Sequence, residues 1–202
     1  MADVFEFRGV DNLVYAEVLT DDNGDSGYTF GEVKPLSPVA TIAKEVETSS
    51  ESHYYDNLPM IVINSEGADT ITLTVAPPDL ATLCEITGKY FDEETGMMID
   101  GVATPKYFAI GYRTKGTDGK YRYVWRLKGQ FAIPSEEVST ENDGIETTNT
   151  ELTYTGISTT HKFTKGGQPA KGIVVDERLG AADLSTFFDS VQTPDTVKTK
   201  TA

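Results

Sequence analysis

Residues 69–76, DTITLTVA, alternate almost strictly between polar and aliphatic side chains. Successive side chains of an extended chain point to opposite faces, so Ile71, Leu73 and Val75 share one face and the intervening threonines share the other. A helix would mix the two sets because its period is 3.6 residues. The segment is therefore expected to be a β-strand that buries its aliphatic face and keeps its threonine face in water.

A second strand is expected at residues 39–48, VATIAKEVET, where Thr41, Glu45 and Glu47 share a face. Between the two strands lies the sequence SSESHYYDNLPMIVI, residues 49–63, which ends near the turn-forming residues 64–67, NSEG. We expect an extended loop over about residues 48–68.

The clearest hairpin joins residues 105–114 to residues 120–133, and Asp118-Gly119 supplies the turn between them. Residues 147–158, TTNTELTYTGIS, form another threonine-rich strand with Leu152 and Tyr154 on one side. Residues 134–146, between these strands, are expected to be an acidic loop.

Two segments carry helical signals. Asp79 is a candidate N-cap and Gly88 a candidate C-terminal stop for a short helix between them. A final helix is expected at residues 181–191, AADLSTFFDSV, and residues 192–202 are expected to be a polar, flexible tail. The sequence thus predicts a single mainly β domain over residues 1–191, an antiparallel sandwich or partial barrel with one or two short flanking helices.

The composition fits one self-sufficient domain of 202 residues. Seventeen Lys and Arg stand against 32 Asp and Glu, a formal net charge of −15. That balance argues against sequence-specific DNA binding, which requires cations that displace counterions from phosphates. It suits a soluble chain, or a surface past which DNA moves without being held.

Cys84 is the single cysteine, so the chain contains no pair for an intramolecular disulfide and no cysteine-based zinc site, and we expect a buried thiol. The amino-terminal residues lack the basic and apolar regions of a signal peptide, and no apolar run approaches a membrane span. We expect synthesis in a cytoplasm and no membrane partner.

No catalytic constellation is evident in the sequence. His53 and His161 are the two histidines, both in polar surroundings, and no G-x-S-x-G motif accompanies them. The carboxylates of residues 92–100 lack the ligand spacing of a calcium loop. We expect a protein that is not an enzyme, with no catalytic residues, no metal and no cofactor.

An aromatic row in the second strand of the hairpin permits two interpretations. The side chains could form a platform for a sugar ring, or they could form a layer of the core, which the mid-sheet position favours. The core candidates, including the aromatic pair of the final helix, are Tyr121, Tyr123, Trp125, Leu127, Phe187 and Phe188.

Several stretches match one known pattern: the hydroxyl-and-acid strand ending in Tyr55-Asp56-Asn57, residues 83–96, LCEITGKYFDEETG, residues 119–131, GKYRYVWRLKGQF, followed by Pro134-Ser135-Glu136-Glu137, and Phe187-Phe188. In their order these stretches resemble the major tail protein family of long-tailed bacteriophages, the subunits of the tail tube. The resemblance covers roughly residues 10–191.

The resemblance implies a structural virion protein of the phage tail. Members of the family have a β-sandwich flanked by a helix and form rings, generally hexameric, that stack into a hollow tube for DNA. Strands of adjacent subunits join to line the lumen. The implied partners are further copies of the chain, other tail proteins such as the tape measure and tail terminator, and DNA in non-specific passage.

On this interpretation the polar faces of the two strands are candidates to line the lumen, where they would offer few cations to phosphate. These residues are Thr41, Glu45, Glu47, Thr70, Thr72 and Thr74. The segment between the strands is the candidate joint between stacked rings, through His53, Tyr54, Tyr55, Asp56 and Asn57.

Alternatives remain open. The two tyrosines could cap the domain's own core, with residues 56–59 forming a turn. The whole chain could instead be a carbohydrate-binding or adhesin-like β-sandwich that uses Tyr121, Tyr123 and Trp125, or, as the least favoured class, a carboxylate-based hydrolase.

Overall fold

The computed structural model describes residues 4–24, 27–135 and 149–200. Within these ranges the chain forms eleven strands and one α-helix. The strands are β1 (Phe7–Asp21), β2 (Tyr28–Phe30), β3 (Lys34–Pro35), β4 (Val39–Tyr55), β5 (Leu58–Val75), β6 (Tyr90–Asp92), β7 (Met97–Ile99), β8 (Phe108–Gly116), β9 (Tyr121–Phe131), β10 (Thr150–Gly156) and β11 (Gly172–Asp176), and the helix is α1 (Leu80–Thr87).

Nine strands form one antiparallel sheet in the order β2-β1-β8-β9-β10-β5-β4, with β11 paired to β9 and β3 paired to β1. Strands β6 and β7 form a separate small hairpin. The large sheet curls until β4 contacts β1, although the two are far apart in the strand order. The predicted fold class, a mainly antiparallel β-domain compatible with a partial barrel, is confirmed.

Two hydrophobic cores lie on opposite faces of the central strands. The first lies inside the curl, where α1 contributes Ile86, and its largest fully buried members are Tyr15, Ile71, Leu73, Phe108, Ile110, Leu152 and Tyr154. The second lies under the carboxyl-terminal segment and contains Ala109, Trp125, Leu127, Phe163, Phe187 and Val191. The alternation read from residues 69–76 is confirmed, because Ile71, Leu73 and Val75 are all fully buried.

The caps predicted for α1 are confirmed. The Asp79 carboxylate accepts a hydrogen bond from Thr82 N at 2.8 Å, which satisfies a free amide of the first turn. Gly88 ends the helix at a φ of 70°, and a Cβ there would lie 2.0 Å from the Thr104 carbonyl oxygen. The site therefore requires glycine both for its backbone conformation and for space.

The predicted helix at residues 181–191 is wrong. The segment forms successive turns, with Phe187 N donating to Leu184 O and Asp189 N donating to Thr186 O. The Trp125 indole N–H donates to the carbonyl oxygen of Phe187 at 3.0 Å, so that carbonyl serves a neighbouring strand. The apolar residues that suggested a helix are buried against β9 through this irregular path.

The expectation of a flexible tail is wrong for residues 192–200, which pack on the domain. Thr193 is buried and Val197 packs against the second core. Lys200 N donates to Ala181 O, and the Asp195 carboxylate accepts from the amides of Thr164 and Lys165. The domain therefore extends past residue 191.

Candidate functional site

Strands β4 and β5 form a long hairpin whose far half extends beyond the sheet. Strand β10 pairs with β5 only over Asp69–Val75, whereas β4 and β5 remain paired from Thr48–Glu66 out to Tyr55–Leu58. We call residues 48–66 the arm. At ~3.3 Å per residue the arm is roughly 25 Å long.

The expected loop over residues 48–68 is therefore wrong, and so is the turn expected at residues 64–67. The chain reverses at Asp56 and Asn57, whose φ values of 50° and 63° are those of a tight two-residue turn. Asn and Asp tolerate this left-handed conformation better than other non-glycine residues, and that signal could have located the turn. The segment is a paired ribbon, in which Tyr55 lies opposite Leu58 at the turn and Ser49 lies opposite Ser65 near the body.

The arm carries an unusual amount of exposed apolar surface. Its exposed large side chains are Tyr54, Tyr55, Leu58, Met60, Ile61, Val62 and Ile63. Their side chains are between 47 % exposed at Ile61 and 66 % exposed at Tyr54. Clusters of this kind mark surfaces that contact another protein, a membrane or a ligand.

Both faces of the arm contain apolar residues. Ile61 and Ile63 pair with His53 and Glu51, so these four share one face, and Val62 lies on the opposite face. A two-stranded ribbon has no interior in which to bury either face, and such hairpins are marginally stable alone. The apolar residues of the arm are thus available for contact on two sides.

The five candidates for a joint between rings lie together at the tip of the arm. Tyr54 and Tyr55 are 66 % and 55 % exposed, Asp56 and Asn57 are exposed, and His53 is half-buried. The alternative in which the tyrosines cap the domain's own core is wrong, although its turn at Asp56 and Asn57 is present. Their role in stacking stays a prediction.

The six lumen candidates lie on one polar surface of the hairpin. Thr41 pairs with Thr74 and donates to its hydroxyl at 2.8 Å, and Glu45 pairs with Thr70. Thr72 continues the same face of β5, and Glu47 is exposed at a register shift next to the arm. A lumen position for these residues stays a prediction.

Strand β10 extends this polar surface. Glu151, Thr153 and Thr155 pair with alternate threonines of β5. The sequence of residues 147–158 shows the same alternation, but Glu151, Thr153 and Thr155 were not among the residues predicted to line the lumen. Lys44 is the single Lys or Arg in β4, β5 and β10. Its side chain lies on the other face of the sheet and forms an ion pair with Asp69.

The aromatic row on β9 belongs mainly to the second core. Trp125, Leu127 and Phe187 are buried, and Tyr123 and Phe188 pack against them while remaining partly exposed. The core prediction is wrong for Tyr121, which is half-buried and stacks under the guanidinium of Arg113. Since Trp125 is fully buried, the row does not form the platform that a carbohydrate-binding module requires.

The described residues contain no cluster of metal-ligating side chains. Their His, Cys, Asp and Glu side chains form no group of three or more that could hold a metal ion. The His161 ring contacts the Asp22 carbonyl oxygen through Nδ1 at 2.8 Å and packs edge-on against Phe163. Burial raises the pKa of the Cys84 thiol, which fits a structural role. Across the same described residues, no helix is long and apolar enough to cross a membrane.

A cluster of charges lies where the arm leaves the sheet. Asp69 is buried, and its carboxylate lies 3.0 Å from Lys171 Nζ and 3.1 Å from Lys44 Nζ. Arg126 Nη1 lies 3.7 Å from the same carboxylate. Burial alone would raise the pKa of Asp69, but hydrogen bonds from the two lysines outweigh burial and lower it.

Comparison with protein-family models finds no family that matches the chain. Comparison with curated proteins finds no match either. Glu136 and Glu137, part of the stretch that resembles tail proteins, lie outside the described residues, as does most of the acidic loop expected at residues 134–146.

Proposed function

We propose that this protein is a structural virion protein, the tail tube subunit of a bacteriophage, which assembles into stacked rings around a lumen for DNA. Hexameric rings follow from the family that the sequence resembles. The observation that carries the proposal is the arm, a ribbon of residues 48–66 with apolar side chains exposed on both faces.

The arm supports self-assembly because the domain itself cannot cover it. It extends beyond the last pairing with β10, so within the described chain its two strands pair only with each other. A further copy of the same chain can bury one face, and a repeated head-to-tail contact of this kind closes into rings or continues as a tube. Large exposed apolar patches are otherwise costly for solubility.

The polar surface of β4, β5 and β10 supports the second half of the proposal, the passage of DNA. It presents threonine hydroxyls and the carboxylates of Glu45 and Glu151. Phosphates bind to proteins mainly through Lys and Arg, and a wall of Thr and Glu gives them no such contact. DNA would therefore move past this surface without being held.

The net charge of −15 supports assembly that depends on salt. Strongly acidic subunits repel each other, and this repulsion is screened over ~10 Å at 0.1 M salt and over ~3 Å at 1 M. The proposal includes contacts with a tape measure protein and a tail terminator at the tube ends. The proposed location is the phage tail, after synthesis in the host cytoplasm.

A matched pair of substitutions tests whether the arm drives assembly. Val62→Asp places a charge on the arm, and Val174→Asp makes the same change on β11, where the side chain is 53 % exposed against 56 % for Val62. Assembly is followed by light scattering and by sedimentation while the salt concentration is raised.

We expect the wild type and Val174→Asp to form large particles and Val62→Asp to stay small, because a charge on the arm face opposes its burial. Equal assembly of the two variants would contradict the proposal. A Tyr55→Ala variant should form rings but no tubes, because the tip of the arm lies farthest from the body and is the proposed joint between rings.

A further inference from the structure

The arm leaves the sheet at a break in the pairing of β4 with β5. Val46 pairs with Asp69, but the next pair is Thr48 with Glu66, so β5 contains one extra residue. An extra residue of this kind forms a β-bulge, which bends the strand and changes its twist. The direction of the arm relative to the body is thus set at this bulge.

Gly67 lies inside the bulge and allows a close approach of the two strands. A Cβ at Gly67 would lie 2.7 Å from Glu47 Oε2 and 3.2 Å from Glu47 Cβ. The second distance involves an atom near the backbone, so a larger residue would displace β4 itself. The bend therefore depends on local backbone geometry and on what holds the bulge from outside.

One side chain from elsewhere in the chain holds the bulge. The Lys171 ammonium donates to Glu66 Oε1 at 2.8 Å, to the carbonyl oxygen of Gly67, and to Asp69 Oδ1 at 3.0 Å. An ammonium has three donors, so these three acceptors use all of them. The three acceptors lie within four residues of β5: the last residue of the arm, the bulge, and the first residue of the body that pairs with β10.

The backbone of Lys171 is held on the sheet by hydrogen bonds. The carbonyl oxygen of Lys171 accepts from Leu127 N at 2.9 Å, and β11 begins at the next residue and pairs with β9. Leu127 is fully buried in the second core. Lys171 therefore connects the base of the arm to β9, a strand in the middle of the large sheet.

We infer that Lys171 is a positioning residue for the arm, which fixes the direction of residues 48–66 by holding Glu66, Gly67 and Asp69 together. The inference concerns a single chain and stands independently of the proposed assembly. Where the arm does mediate assembly, Lys171 prepares it in one orientation, so that less conformational freedom is lost when copies join.

Lys44 provides a matched control because it shares one partner with Lys171 and lacks the others. Its ammonium lies 3.1 Å from Asp69 Oδ2, but it lies on β4 within the body. Asp69 has three cations around it, so either lysine can be removed while the carboxylate keeps a positive neighbour. Lys171→Met and Lys44→Met therefore remove the same charge from the same cluster, and differ in the contact with the arm.

The test measures the distance between the arm and the body by pulsed electron paramagnetic resonance in dilute, low-salt protein. Spin labels are attached at Ser52→Cys on the arm and Glu151→Cys on β10, both exposed positions. These positions are roughly 40 Å apart along β5 at ~3.3 Å per residue. Native Cys84 is buried, and a sample without introduced cysteines reports any label that it takes up.

We expect one narrow distance distribution for the wild type and for Lys44→Met, and a distribution at least twice as wide for Lys171→Met. Glu66→Gln, which keeps the cluster's cations, should widen it to an intermediate degree. A narrow distribution in Lys171→Met would overturn the inference, as would equal widening in Lys44→Met. Because the measurement uses single chains, a failure of tube assembly has no influence on its result.

Discussion

Replacing Trp125 by Phe tests how the carboxyl-terminal segment is held on the sheet. The indole is fully buried, pairs across the sheet with Gly111, and packs next to Phe188. Its N–H donates to the Phe187 carbonyl oxygen at 3.0 Å. Phenylalanine fills part of the same space but has no donor for that carbonyl.

The cost of this substitution has two parts. A buried carbonyl without a donor costs ~1–3 kcal/mol. The smaller ring also leaves a void, at a cost below the ~3–5 kcal/mol of full truncation of Trp to Ala. We expect Trp125→Phe to lower the free energy of unfolding by about 2–4 kcal/mol in total, which leaves a domain of ~5–15 kcal/mol folded.

Urea unfolding followed by circular dichroism measures the change. With a slope of ~3 kcal/mol per molar urea, the midpoint should fall by roughly 1 M. Tyr123→Phe is the control, because Tyr123 lies on the same face of β9 and stays partly exposed. A Trp125→Phe midpoint no lower than that of the control would refute the role given to the indole hydrogen bond.

Three other outcomes follow from the structure. Gly88→Ala should lower the free energy of unfolding by more than ~1 kcal/mol, because the position needs a positive φ and has no room for a Cβ. An unchanged urea midpoint would contradict this. Burial alone would raise the pKa of Asp21, but a hydrogen bond from Lys128 and two from backbone amides outweigh burial and lower it. The contribution of Asp21 to stability is therefore complete above its unfolded pKa of about 3.9 and is lost as the pH falls from there through the lower pKa of the folded state. Asp21→Asn should therefore destabilise the protein in urea at pH 7 and much less at pH 3, and an equal loss at both would count against the assignment. In assembled particles, at the salt concentration that keeps them assembled, Thr72→Lys should retain DNA in a filter-binding assay while Glu93→Lys, on the turn between β6 and β7, should not. Equal retention would exclude the polar surface as the lumen wall.

The sheet could be predicted from the sequence because its signals are local. Alternation in residues 69–76, the turn at Asp118-Gly119 and the caps at Asp79 and Gly88 each depend on a few adjacent residues. The buried face of β5 and the hairpin of β8 with β9 follow directly from these signals.

The errors occur where distant residues decide the conformation. Residues 181–191 have helical spacing, but the Trp125 indole N–H donates a hydrogen bond to the Phe187 carbonyl oxygen. The apolar side chains of the segment are buried against β9 by a series of turns instead of a helix. Residues 192–200 look like a tail in sequence, yet Ala181 and Asp183 bind their backbone. The sequence of each segment by itself contains no signal of these contacts with distant residues.

For the arm, the sequence indicated the location of a candidate contact segment but not its conformation. The resemblance to tail proteins made residues 49–63 a candidate joint between rings, with its five candidate residues at positions 53–57. The sequence did not predict a paired ribbon, because Asp56-Asn57 is a weaker hairpin signal than Asn-Gly. The hydrogen bonds from Lys171 to Glu66 and Asp69 were also not predicted, since they join residues about a hundred positions apart.

Negative-stain electron microscopy of the purified protein tests most directly the central claim, that copies of this chain assemble through the arm into rings and tubes. Grids are prepared from fresh dilute protein at low salt and again after concentration at raised salt, which screens the charge of −15. We expect separate small particles in the first sample and hollow rings or tubes of uniform diameter in the second. Single domains under every condition, at concentrations where Val62→Asp and the wild type look the same, would contradict the claim.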